Sequence, residues 1–196
     1  MKQIFNGLIV AAALFTTSAQ AVGFSTSFST VDPGGAICYS FDDLGGNSLL
    51  LPITGGVIQP GTVLGEAEQP VGGIGKYWSI DPRNTDGTIT FSTGLVGLSF
   101  LWGSPDSYNE LSVALNGSST FQAVGSNPTV ESYFTITADA GEQITALKFR
   151  SFESPGFAFE VDNLRISPVP EPQTYAILLA GLGAIGFVAR RRRVQS

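Results

Sequence analysis

The stretch "GFAFEVDNLRIS", residues 156–167, alternates apolar and polar side chains over most of its length. Phe159 and Val161 fall on one face, whereas Glu160 and Asp162 fall on the other. A period of two indicates a half-buried β-strand, because successive side chains of a strand point to opposite faces of its sheet. The stretch therefore predicts a strand that puts its apolar face into a hydrophobic core.

Six further segments show the same alternation, separated by turn residues. They are "AICYSFDD" (36–43), "GTITFS" (87–92), "LVGLSFLWG" (95–103), "NELSVAL" (109–115), "VESYFTIT" (130–137) and "QITALKFRS" (143–151). Seven short strands within about 145 residues are typical of antiparallel Greek-key sandwiches. The sequence thus predicts an all-β, antiparallel β-sandwich that is jelly-roll-like. Residues 55–78 interrupt the pattern with glycine and proline, which indicates a long loop or irregular edge strands.

The N-terminal residues have the organisation of a secretory signal peptide. Lys2 precedes an apolar core from Leu8 to Phe15, and "AQA" at 19–21 puts small residues at the −3 and −1 positions. We expect a signal-peptide helix at 1–21 that uses the Sec machinery and is cut by signal peptidase after Ala21. The alternative is a buried N-terminal helix of the fold.

The C-terminal residues have the pattern of a short membrane helix with a basic end. Residues 175–189 carry no charged side chain, and four arginines follow them: Arg190, Arg191, Arg192 and Arg193. A helix of that length rises roughly 22 Å, short of the ~30 Å hydrocarbon core, but terminal arginines can snorkel to the headgroups. We expect a transmembrane helix at about 174–189, which is either an ordinary C-terminal membrane anchor or part of a processing signal. The positive-inside rule puts its arginine end in the cytoplasm and the preceding domain outside.

A proline-rich tripeptide, Pro170, Glu171 and Pro172, precedes this segment and prevents the helix from beginning earlier. Pro-Glu-Pro, an apolar segment and a terminal arginine cluster, in this order, resemble the PEP-CTERM sorting signal of Gram-negative bacteria. The resemblance implies recognition by a membrane-embedded exosortase and cleavage near 170–172. The domain would then reach the cell surface or extracellular matrix. The tail would hold the precursor in the inner membrane only transiently, as a GPI signal does.

These features divide the chain into a signal peptide at 1–21, a β-sandwich domain at 22–167 and a sorting tail at 168–196. The domain itself resembles the β-sandwich domains found ahead of PEP-CTERM tails. The segments "FLWGSPDSYNEL" (100–111) and "FAFEVDNLRIS" (157–167) carry this resemblance, which implies a fold and no particular activity.

Composition excludes several classes of function. The chain has no histidine, so histidine-based catalysis and histidine-ligated zinc are excluded. Its one cysteine, Cys38, can form neither an intrachain disulfide nor a cysteine-cluster metal site. Five basic and fifteen acidic residues lie between positions 22 and 168, and such an acidic domain repels nucleic acid.

Acidic residues near the first and last predicted strands are candidate calcium ligands. In a jelly roll these two strands lie near each other, and calcium takes six to eight oxygen ligands. Asp42, Asp43, Asp162 and Asn163 would supply part of such a set as a structural calcium site. The alternative is a group of solvated acids at strand ends.

The segment "LWGSPDSYN" (101–109) has a composition suited to glycan binding. Its candidate ligands for an extracellular polysaccharide are Trp102, Asp106, Tyr108 and Asn109. The alternative is that the aromatic rings are core and that Ser-Pro-Asp forms a turn.

Taken together, these patterns favour a secreted, non-enzymatic surface or matrix protein with no catalytic residue. One alternative is a carbohydrate-binding module of the exopolysaccharide matrix, which exposed aromatic rings beside a groove would indicate. A second alternative is a carboxylate-based glycan hydrolase, which needs two carboxylates flanking a sugar.

Overall fold

Antiparallel β-strands are the dominant element in a computed structural model that describes residues 23–34, 39–42, 53–83, 86–152, 158–168, 178–182 and 185. The strands are β1 (Phe24–Ser29), β2 (Val57–Gln59), β3 (Tyr77–Ile80), β4 (Gly87–Trp102), β5 (Asn109–Leu115), β6 (Gln122–Ala123), β7 (Ser132–Ala138), β8 (Ile144–Ser151) and β9 (Phe159–Pro168). The predicted all-β, antiparallel, sandwich-like fold is confirmed.

Strand β4 belongs to both arms of a single sheet, because its two halves have different neighbours. Its first half pairs with β8, with Gly87 opposite Phe149 and Thr90 opposite Ala146. The register shifts between Thr90 and Leu95, and the second half then lies between β7 and β9. One arm therefore runs β6–β5–β8–β4, and the other runs β2–β3–β9–β4–β7–β1.

The two arms share one hydrophobic core that is centred on Phe149 of β8. Its ring contacts Trp78 of β3, Phe100 of β4 and Phe159 of β9, at centroid distances of 5.3, 5.5 and 5.1 Å. Because β3 and β9 lie in the other arm, these contacts cross from arm to arm. Phe159 and Val161 are fully buried in this core, as the alternation in the last strand predicted.

The outer face of β9 is covered by residues 60–76, which we call the covering loop. The loop follows the short edge strand β2 and leads into β3. Glu160 and Asp162 point away from the core, as predicted, but they are 2% and 0% exposed. They are buried because the covering loop packs over them. The glycine- and proline-rich segment that interrupts the strand pattern thus forms a second layer over one strand.

Both predicted terminal helices lie mostly outside the described residues. The N-terminal segment 1–21, with its cleavage position Ala21, lies entirely outside them. At the other end, residues 178–182 and 185 are helical and exposed. No helix within the described ranges combines the length and apolar character that crossing a membrane requires.

Candidate functional site

Carboxylates hold the covering loop against the sheet by accepting hydrogen bonds from its backbone amides. Glu131 accepts from the amides of Val71 and Gly72, at 2.9 and 3.0 Å. Glu160 accepts from the amide of Glu68 at 3.2 Å. The apolar side chains of Leu64, Val71 and Ile74 in this loop are exposed, so these charge-assisted bonds contribute to fixing its path.

Asp42 makes the next contact of this kind, at the end of the covering loop. It accepts a hydrogen bond from the amide of Lys76 at 2.6 Å. Gly75 lies beside it with a left-handed φ of 83°, and a Cβ at Gly75 would overlap the Asp42 carboxylate. The loop backbone therefore wraps closely around this side chain, which only glycine allows.

A β-bulge in β9 lies where Asp162 meets the covering loop. Ser99 pairs with Arg165, but Leu101 pairs with Asp162, so β9 has one residue more than β4 across this interval. Asn163 takes up the extra residue with a left-handed φ of 50°. Bulges re-aim side chains and are over-represented beside functional sites.

The carboxylate of Asp162 is fully buried under the loop. Its Oδ1 accepts a hydrogen bond from the amide of Asn163 at 2.7 Å, whereas its Oδ2 has no hydrogen-bond partner among the described residues. Burial raises the pKa of Asp162 to about 7, and the negative charge of Asp42 raises it further. The nearby backbone amides of Asn163 and Ile74 act in the opposite direction. Asp42 and Asp162 thus face the same part of the covering loop.

The predicted calcium ligands are therefore brought together in part. Asp42 and Asp162 converge, whereas the side-chain amide of Asn163 donates to the carbonyl of Gly72 at 3.5 Å. Asp43 lies outside the described residues. In the described ranges, no cluster of three or more acidic, cysteine or histidine side chains is arranged to hold a metal ion. A cation here would depend on two carboxylates, backbone carbonyls and water.

A second feature is a polar pocket of about 370 Å³ beside the first half of the covering loop. Its polar lining includes Thr62, Glu66, Glu68, Ser104, Asp106 and Glu160. The Ser104 hydroxyl donates to Glu160 Oε2. Burial raises the pKa of Glu160 to about 7, although this hydrogen bond and the amide of Glu68 lower it. We call this space the acidic pocket.

Two of the four predicted glycan ligands line the acidic pocket. Tyr108 donates its hydroxyl hydrogen to Asp106, and both side chains are partly exposed. Asn109 is 4% exposed and serves the turn instead, because its Nδ2 donates to the carbonyl of Ser104 at 2.9 Å. The pocket therefore joins Tyr108 and Asp106, which lie between β4 and β5, to Glu160 on β9.

Trp102 does not belong to this pocket, which corrects the prediction that it binds a glycan. It is 0% exposed, and its ring stacks on Phe159 with a centroid distance of 4.2 Å and an interplanar angle of 18°. The reason is its register. Trp102 lies two residues after Phe100 on β4, so both side chains are on the same face of the strand and point into the core.

The sequence-based candidates omitted Glu160, Ser104 and Glu68. A signal was present, because Glu160 shares the outer face of β9 with Asp162, which was chosen. What the alternation does not reveal is that a segment about ninety residues earlier covers that face.

A larger groove of about 500 Å³ lies along β4, β7 and β9. The one ionisable side chain in its described lining is Arg165, which forms an ion pair with Asp32 at 2.8 Å. The groove is otherwise lined by backbone and by small or apolar side chains, so it contributes little chemistry.

Comparison with known families identifies the C-terminal tail. A model of the PEP-CTERM protein-sorting motif matches residues 168–193. This match confirms the resemblance drawn from Pro170, Glu171, Pro172 and the four arginines, all of which lie outside the described residues. Neither curated proteins nor solved structures gave a match to the chain. The chain thus carries a signal for exosortase processing, export and surface sorting.

Proposed function

We propose that this chain is a secreted, non-enzymatic component of the bacterial surface or exopolysaccharide matrix. The observation that carries the proposal is the sorting motif at 168–193. In this account the signal peptide starts export, the apolar tail holds the precursor in the inner membrane with its domain outside, and exosortase then removes the tail. The folded β-sandwich is the cargo.

Mutation of the tripeptide tests this proposal in cells that express the full chain. Wild-type protein should appear in the surface or extracellular fraction. The double variant Pro170→Ala and Pro172→Ala should accumulate in the inner membrane with its tail intact. Gln173→Ala is the matched control, because it changes the next residue and leaves Pro-Glu-Pro unchanged. Equal surface delivery of the double variant and the wild type would contradict the proposal.

A second candidate function is glycan binding at the acidic pocket. The pocket has the size of a small-molecule site, and its carboxylates and hydroxyls suit the hydroxyl groups of a sugar. Partly exposed Tyr108, held by Asp106, would present an aromatic face beside them. In this candidate function the polysaccharide binds in the acidic pocket, and Trp102 remains a core residue.

Binding of polysaccharide extracted from the producing cells tests this second candidate. The purified chain should bind it, and Asp106→Asn should weaken binding at least tenfold. Asp139→Asn is the control, because it changes an exposed aspartate beyond the end of β7. An array of defined glycans then identifies the sugar. Undiminished binding by Asp106→Asn would exclude the acidic pocket as the site.

The burial and the hydrogen bonds of Glu160 favour binding over hydrolysis at this pocket. A glycosidase acid must reach the glycosidic oxygen, opposite a second carboxylate. Glu160 is 2% exposed, and its two carboxylate oxygens accept hydrogen bonds from Glu68 and Ser104. Release of reducing ends from the extracted polysaccharide would reverse this preference.

A further inference from the structure

The contact between Asp162 and the covering loop contains a buried carboxyl group that forms no ion pair with any described side chain. Among the described residues, the ion pairs are made by Arg83, Arg150 and Arg165, each with other acids. A buried carboxylate is costly unless it is paired or coordinates a metal. Asp162 also has an oxygen, Oδ2, without a hydrogen-bond partner among those residues.

Three other carboxylates under the loop, those of Glu131, Glu160 and Asp42, each accept a hydrogen bond from a loop amide. The loop amide of Ile74 lowers the pKa of Asp162, yet Oδ2 has no hydrogen-bond partner among the described residues. The loop backbone approaches Asp162 just as closely, because a Cβ at Gly73 would overlap Asp162 Oδ2 and lie 3.1 Å from the carbonyl oxygen of Pro70. This oxygen therefore faces a backbone turn at close range without receiving a hydrogen bond.

We propose that a calcium ion binds between Asp42 and Asp162 and joins them to residues 70–76 of the covering loop. The carboxylates supply oxygen ligands and negative charge, and loop carbonyls and water complete the coordination. Calcium suits such a site better than magnesium, because calcium accepts six to eight oxygens in irregular geometry, whereas magnesium demands a near-ideal octahedron. With two carboxylates, the affinity belongs to the range of extracellular modules, with a dissociation constant of about 10⁻⁴ to 10⁻³ M.

The ion would also determine the shape of the acidic pocket. Residues 62–68 of the covering loop line that pocket, and residues 73–76 lie against the two aspartates. An ion that fixes the second half of the loop therefore limits the motion of the first half. Calcium would be required for an ordered pocket wall, independently of what the pocket binds.

Calorimetric titration with calcium chloride tests the site directly. The chain is purified from cells that express the full sequence, treated with chelator and titrated at pH 8. We expect one calcium site in the wild type, and a loss of affinity of at least tenfold in Asp162→Asn and in Asp42→Asn. Asp139→Asn should bind as the wild type does, and magnesium should bind more weakly. Circular dichroism establishes that each variant is folded.

Limited digestion with trypsin supplies a second, local readout. Lys76 lies at the end of the covering loop, so cleavage after it reports whether the loop is held in place. Calcium should slow this cleavage at least fivefold in the wild type and leave the rate unchanged in Asp162→Asn. The proposal is overturned if the wild type binds no calcium, if both asparagine variants bind it normally, or if calcium leaves cleavage at Lys76 unaltered.

Discussion

At the scale of single residues, Glu160 and Asp162 should give this fold an unusual pH dependence. Burial raises the pKa of each carboxyl to about 7 in the folded chain, well above its ordinary value. The folded state therefore holds protons that the unfolded state has already released between about pH 4 and pH 7. Stability from these groups is greatest at low pH and falls as pH rises through that window.

We predict that each group lowers the free energy of unfolding by up to about 1.4 kcal/mol per pH unit within this window. Asp162→Asn removes one titrating group, so the stability of the wild type relative to this variant should fall between pH 5 and pH 7. Urea denaturation in the presence of chelator measures it. A relative stability that is constant or rises with pH would contradict the assigned burial of Asp162.

The close approach at Gly73 gives a second prediction at this scale. Gly73→Ala should lower stability by about 1–3 kcal/mol, because the added methyl group meets Asp162 and the Pro70 carbonyl. Gly61→Ala is the control in the same loop, since its Cβ would lie 3.8 Å from Gln69. That change should alter stability by less than about 0.5 kcal/mol. Equal urea midpoints for the two variants would show that the loop is not packed as described.

At the scale of elements, the strands that period-two alternation predicted are those with one face in the core. Residues 109–115, 143–151 and 156–167 correspond to β5, β8 and β9. By contrast, β3 has apolar side chains at three of its four positions, and β1 is largely exposed, so neither combines a polar face with a buried apolar face. Two predicted strands, 87–92 and 95–103, are one strand, β4, with an irregularity between them.

The candidate sites were less predictable than the strands for a related reason. Asp42 and Asp162 were identified because they lie at predicted strand ends. Their partner, the covering loop, has no periodic pattern, and its position depends on hydrogen bonds from its backbone to Glu131, Glu160 and Asp42. Such contacts join residues far apart in the chain and leave no local trace in the sequence.

The stacking of the Trp102 ring of β4 on the Phe159 ring of β9 leads to a prediction about Trp102. Trp102→Ala should lower the free energy of unfolding by about 3–5 kcal/mol, because it removes a fully buried ring. Tyr108→Ala should cost less, about 1 kcal/mol, since Tyr108 is partly exposed and its hydroxyl donates a hydrogen bond to Asp106. Thermal and urea unfolding of the two variants compare them. A small loss for Trp102→Ala would return this ring to the list of ligand candidates.

At the scale of the whole molecule, charge is separated between the domain and the tail. The acidic domain contrasts with the four arginines at 190–193, and the motif that contains them matches a known sorting signal. In the proposed function, the tail holds the precursor in the membrane, and the apolar segment before the arginines is too short to do so firmly by hydrophobicity alone. We therefore assign retention in part to the attraction between arginine and anionic lipid.

Each arginine near an anionic membrane surface contributes about 1 kcal/mol, so the cluster of four should matter. Replacing Arg190 to Arg193 with glutamine should release unprocessed chain, with its tail intact, into the periplasm. Replacement with lysine is the control, because it keeps the charge. Cell fractionation with mass detection of the tail compares the variants. If the glutamine variant is retained and trimmed normally, the arginines do not contribute to retention of the precursor in the membrane.

The central claim, that the tail is a processing signal, is tested most directly by the intact mass of the protein recovered from the surface fraction. Cells express the full, unmodified chain, and mass spectrometry identifies both ends of the mature form. We predict a dominant species that starts at or near Val22 and lacks Arg190 to Arg193. A dominant mature species that retains these arginines would contradict the claim and would leave the tail as a permanent anchor.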